Sequence, residues 1–169
     1  DYQVESFTPD YDRVGPDLRG NVLLNNTING LFVRISTPAG DRLRRMNVTG
    51  RWDDTDVVHV VAENLVIAGK PGGPQLSAET GLHTAQLDAG LKIDPGLVVK
   101  LDGSRIEATV GTQLLIEGLP GQNIILTSLQ DERFGAGGTF DTNPSAVNSP
   151  SNEPAPGDWG GVYIAPVAR

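Results

Sequence analysis

Apolar residues along this chain come in short bursts of about three to five, separated by Gly, Pro, Asn and Asp. No stretch of ten or more residues carries apolar positions at i, i+3, i+4 and i+7 without an interrupting Gly or Pro, so amphipathic helices are not expected. Runs rich in Val, Leu and Ile at 22–24, 31–35, 57–61, 65–67, 91–93, 98–101, 106–108, 114–116, 124–127 and 161–164 predict strands instead. Such strands are short for a sandwich and suit one side of a solenoid coil. In 57–61 both alternating positions are apolar, so the pattern leaves the direction of His59 open.

The bursts recur. Pro-Gly pairs stand at Pro71-Gly72, Pro95-Gly96 and Pro120-Gly121, a spacing of about 24–25 residues that falls within the range of solenoid repeats. Leu65-Val66-Ile67, Leu91-Lys92-Ile93 and Leu114-Leu115-Ile116 recur nearly in step with them. A propeller blade needs roughly 40–45 residues, and a leucine-rich repeat needs an Asn-marked pattern that is missing here. An immunoglobulin-like sandwich enforces no such repeat. The expected fold is therefore all-β, a right-handed parallel β-helix with coils of about 24–25 residues. Pro fixes φ and Gly tolerates positive φ, which turns the chain between faces. The rhythm breaks over 131–158, rich in Gly, Pro, Ser and Asn, which predicts one inserted loop thrown out from the shaft. Residues 1–17 read as an irregular arm or the end of a preceding coil, 18–130 as coils, and 159–169 as the start of the next. Both termini read as cuts within a longer polypeptide.

Composition agrees with a narrow aliphatic core: Gly 21 and Pro 12 are high, and aromatics are only 5%. A net charge of −8 argues against nucleic acid, where basic surface supplies most of the affinity, and against an anionic membrane surface. No stretch is long enough to span a bilayer. Without Cys there is no disulfide framework, thiolate metal site or Cys nucleophile.

Several segments resemble one family. Gly20-Asn21-Val22-Leu23-Leu24-Asn25-Asn26-Thr27-Ile28-Asn29-Gly30-Leu31 is similar to a repeat in which Gly-Asn, a short aliphatic strand, an Asn-rich turn and Asn-Gly-Leu recur. Leu91-Lys92-Ile93-Asp94-Pro95-Gly96-Leu97-Val98-Val99-Lys100 resembles an I-x-P-G-x-V-V-K corner, with a looser match over 111–128. Asp158-Trp159-Gly160-Gly161-Val162-Tyr163 resembles the D-W-G-G lead-in to a further coil. These are features of large bacterial cell-surface or secreted right-handed parallel β-helix proteins with a pectate-lyase-like fold. The resemblance implies an extracellular or cell-surface location and adhesive, matrix or scaffold roles. It implies no single activity, because the same fold also hosts polysaccharide lyases and hydrolases.

Candidate chemistry is sparse. Asp131, Asp141, Asn143 and Asp158 spread across the predicted loop and are candidate Ca²⁺ ligands, since hard cations need several oxygens. Pro144 interrupts the short Asp-Thr-Asn run where another ligand is expected. Asp53, Asp54 and Asp56 read as Ca²⁺ ligands, as glycosidase carboxylates or, preferably, as an Asp-rich turn capping backbone N–H groups. Trp52 and Trp159 are candidate glycan contacts, against packing on the coil. His59 and His83 have no Ser or acidic motif beside them, and Lys100 and Arg105 have no acidic neighbours beyond Asp102 and Glu107. Asn25 is expected in an amide stack running from coil to coil. No catalytic set is expected. The leading expectation is a structural or adhesive shaft whose partners are flanking coils of its parent chain or further copies. A carbohydrate-active or glycan-binding β-helix is the alternative.

Overall fold

The computed structural model describes residues 18, 20–34, 45–46, 49–68, 75–76, 78–84, 89–137, 139, 141–144 and 154–165. Among them are strands β1 (Leu31–Phe32), β2 (Gly50–Trp52), β3 (His59–Val61), β4 (Leu65–Ile67), β5 (Gln75–Leu76) and β6 (His83–Thr84). There follow β7 (Gly90–Ile93), β8 (Val98–Leu101), β9 (Ile106–Ala108), β10 (Gln113–Ile116), β11 (Ile125–Ser128) and β12 (Val162–Ile164). No helix occurs among the described residues.

Three all-parallel sheets form, in the orders β1-β3-β8-β11, β4-β9-β12 and β2-β7-β10. The chain visits them in one cycle: β3, β4, β7, then β8, β9, β10, then β11 and β12. Parallel strands need a long crossover, and here the other two faces supply it. This is the parallel β-helix the spacing predicts, and it has three faces.

Register explains the coil length. Gln113 pairs with Gly90 and Ile125 with Val98, one interval slightly shorter and the other slightly longer than the spacing of the Pro-Gly pairs. Pro95-Gly96 and Pro120-Gly121 occupy the same corner of successive coils. Gly96 and Gly121 adopt φ of 87° and 79°, and the Gly96 N–H donates to the Gln122 carbonyl at 3.1 Å. Pro71-Gly72 lies outside the described residues.

One part of the repeat differs. Leu65-Val66-Ile67 sits on a different face from Leu91-Lys92-Ile93, and Leu91 pairs instead with Gly50, well upstream of Leu65. The antiparallel pair β5 and β6 interrupts the passage from β4 to β7. That insertion brings one corner close to the length of a whole coil, so the interval from Leu65 to Leu91 mimics the repeat.

The core follows strand alternation. Val61, Leu65, Ile67, Leu91, Ile93, Val99, Leu101 and Ile106, with Leu97 and Ala89, form one buried interior cluster. Stacked registers place like on like, as in Val61 on Leu101 and Leu65 on Ile106. Each fully buried aliphatic side chain contributes roughly 1.5–3 kcal/mol, and only stacking removes that surface from water, since a single coil has no second side.

The described residues of the inserted segment between 131 and 144 lie against the shaft. Leu129, Asp131, Ala136, Thr139, Thr142 and Asn143 are buried, and the Asn29 N–H donates to the Thr142 carbonyl at 2.7 Å. Leu129, Ala136 and Phe134 cluster with Val58, Val60 and Val98 on the outer side of β3 and β8. The reason is visible in the sequence: strands apolar at both parities need cover on both sides.

Candidate functional site

Three groups of polar side chains could carry chemistry. The first lies inside the shaft. His59 pairs in register with Val99, whose side chain belongs to the interior cluster, so the imidazole points inward. Its ring stacks on Trp52 with centroids 5.2 Å apart and planes 20° from parallel. Burial lowers the His59 pKa from 6.5 to about 4, opposed by a hydrogen bond with the Val57 backbone. The ring is a neutral wedge at pH 7. Trp52 packs against the interior cluster, and so does Trp159.

The second group lines a concavity of about 640 Å³ where the β2-β7-β10 face meets the corner leading to β3 and β8. Arg51, Asp53, Asp54, Asp56 and Asp94 contribute to it. Its carboxylates are engaged. Asp54 Oδ1 accepts the Leu18 N–H at 2.9 Å, and Asp56 Oδ2 accepts the Asn21 N–H at 2.7 Å. Asp94 Oδ2 accepts from Arg51 Nε at 2.8 Å and from Nη2. The capping expected of these aspartates is present, but its donors are not local: they belong to a segment well upstream in the chain. The cluster fastens Leu18 and Asn21 to the shaft.

The third group sits under the inserted segment. Lys100, on β8, points away from the interior between Val60 and Thr127 and is fully buried. Its Nζ lies 3.5 Å from Glu132 Oε1. Burial lowers the Lys100 pKa, while Glu132, Asp131 and Asp141 pull it back up. Glu132 also accepts the N–H groups of Thr142 and Asn143 at 3.0 and 3.2 Å. Beside it, Asp131 accepts from Arg133 Nε at 2.8 Å and from the Thr127 hydroxyl at 2.6 Å. The Arg133 hydrogen bonds hold its carboxyl down to about 2, against the opposing effect of burial.

Each candidate Ca²⁺ ligand makes a contact within the structure. The Asp131 carboxylate is shared between Arg133 and Thr127. Asp141 offers its backbone carbonyl to Asn29 Nδ2 at 2.8 Å. Asn143 donates its N–H to Glu132. Asp158 Oδ2 accepts from Ser128 Oγ at 2.9 Å and from the Ala155 N–H at 2.8 Å, closing the turn before β12. Among the described residues no three His, Asp or Glu side chains gather in a metal-binding group.

Other sequence expectations resolve individually. Arg105, just before β9, pairs with Glu107 on that strand at 3.0 Å. Asn25 adopts a left-handed φ of 60° and is exposed. The coil-to-coil amide contact is made by Asn64, whose Oδ1 accepts the Arg105 N–H at 3.1 Å. The His83 side chain lies outside the described residues. Glu132 and the Arg51–Asp94 pair were not singled out from sequence. The available signal was Lys100 itself, a charge within a strand apolar at both parities.

No protein-family model matches the chain, and no curated protein or solved structure matches it either. The stacked registers define the class: a three-face parallel β-solenoid with a second layer over one sheet.

Proposed function

We propose that the chain serves as a structural segment of an extracellular or cell-surface β-helix, a shaft that assembles by adding coils at its end. One observation carries this reading. Val162 and Ile164 occupy inward positions on β12, yet they are 39% and 62% exposed. Their register partners in the coil below, Ile106 and Ala108, are 0% and 3% exposed. A surface with interior chemistry, on a strand that pairs among the described residues with β9 alone, is complemented by another coil. The acidic, cysteine-free composition suits an exported protein. The inward stacking of Trp52 on His59 weighs against glycan contact through Trp52. Among the described residues, the outward columns Arg51-Lys92-Leu115 and Val66-Glu107-Tyr163 bring no carboxylate pair together.

Sedimentation velocity over a wide concentration range tests the proposal. The expected result is concentration-dependent association that Ile164→Asp abolishes without lowering the melting temperature of the shaft. A single monomeric species at every concentration, unchanged by the substitution, overturns it. Sugar release from a polysaccharide panel would favour the carbohydrate-active alternative.

A further inference from the structure

We propose that the described residues between 129 and 144 belong to a strap that opens as a unit separate from the shaft, latched by the buried Lys100–Glu132 pair. Lys100 stands where the sheet offers Val60 on one side and Thr127 on the other, and its side chain is 0% exposed. An aliphatic residue there would pack against the cover without cost. The lysine instead brings a buried ammonium whose Nζ has no hydrogen-bond partner among the described residues and whose charge is met by Glu132 at 3.5 Å.

Glu132 ties the strap together as well as down. Its two carboxylate oxygens accept the N–H groups of Thr142 and Asn143, so one side chain joins the outgoing and returning limbs. The remaining attachments are mainly polar: Thr127 to Asp131, and Asn29 to Asp141 and Thr142. Apolar anchoring comes from Leu129, Phe134 and Ala136 against Val58, Val60 and Val98. A buried ion pair contributes little net stability, because desolvation offsets its attraction, whereas loss of one partner leaves an uncompensated charge. Strap docking therefore rests on fewer apolar contacts than the shaft interior and on a pair that returns to water on opening. Units of this kind open below the free energy of global unfolding.

Hydrogen exchange of the full chain, followed by mass spectrometry at low denaturant, tests the latch. Peptides covering 131–142 are expected to exchange before those covering β7, β8 and β9. Glu132→Ala is expected to speed strap exchange by roughly tenfold to a hundredfold, the partner charge being left buried, with the shaft peptides unchanged. Lys100→Met with Glu132→Gln removes both charges and is expected to return strap protection to at least the original level. Equal exchange of strap and shaft overturns the proposal. So does a Glu132→Ala protein whose strap is as protected as before, or one in which strap and shaft open together.

Discussion

Val60 and Val61 are neighbours on β3, equally buried, and they belong to different regions. Val61 faces the shaft interior, an aliphatic cluster on which Trp52 packs, with the His59 ring stacked on that tryptophan. Val60 faces the strap, where Lys100, Glu132 and Asp131 mingle with Val58, Val98 and Ala136. Both regions exclude water, but by different means. The interior is closed by repetition: any coil in register supplies the next layer of aliphatic side chains. The outer layer is closed by one particular segment, and its polar groups must each find a specific partner. Burial alone therefore does not measure how strongly a region is held.

Cutting into the interior separates the two regions most sharply. Leu101→Ala is expected to lower the unfolding free energy by about 2–5 kcal/mol, since a fully buried column residue loses its contacts to the coils on either side. Denaturant titration checks this, and the whole shaft is expected to unfold as one. A loss confined to the strap would show that the two regions are not distinct.

His59 makes the interior sensitive to acid. The unfolded chain takes up a proton near 6.5, whereas the buried ring resists one until about 4. Its contribution is complete above pH 6.5, declines as pH falls and is lost below about 4, a change on the order of 3 kcal/mol. Melting temperature recorded from pH 7 to pH 4 is expected to fall in the original chain and to flatten in His59→Phe, which keeps the stack on Trp52. The depressed Asp131 carboxyl acts in a lower window, below its ordinary 3.8 and down to about 2.

A change at the strap is expected to cost less. Gly137 has φ of 58° and approaches so closely that a Cβ there would collide with the Asp56 carbonyl oxygen. Gly137→Ala is expected to destabilise the strap by about 1–3 kcal/mol while leaving the shaft's unfolding midpoint in place. Limited proteolysis checks this, with new cleavage expected only within the strap. The smallest effect falls on the surface. Arg105, just before β9, and Glu107, on β9, pair at the surface, so Arg105→Gln is expected to change stability by less than about 1 kcal/mol. A larger loss by thermal melting would place this ion pair among the structural contacts.

Much of the shaft was legible in the residues themselves. Short apolar bursts, the corners at Pro95-Gly96 and Pro120-Gly121, and the match of Leu91-Lys92-Ile93 to Leu114-Leu115-Ile116 sufficed for a stacked solenoid. These features are local, and they repeat because each coil meets the same environment. The spacing of Leu65 to Leu91 misled because an inserted hairpin brings one corner nearly to the length of a turn around the shaft. The direction of His59, the return of the strap and the meeting of Lys100 with Glu132 were decided by tertiary structure. Each depends on register between strands distant in sequence or on a segment folding back, and both are set by which surfaces remain to be buried after the coils have stacked.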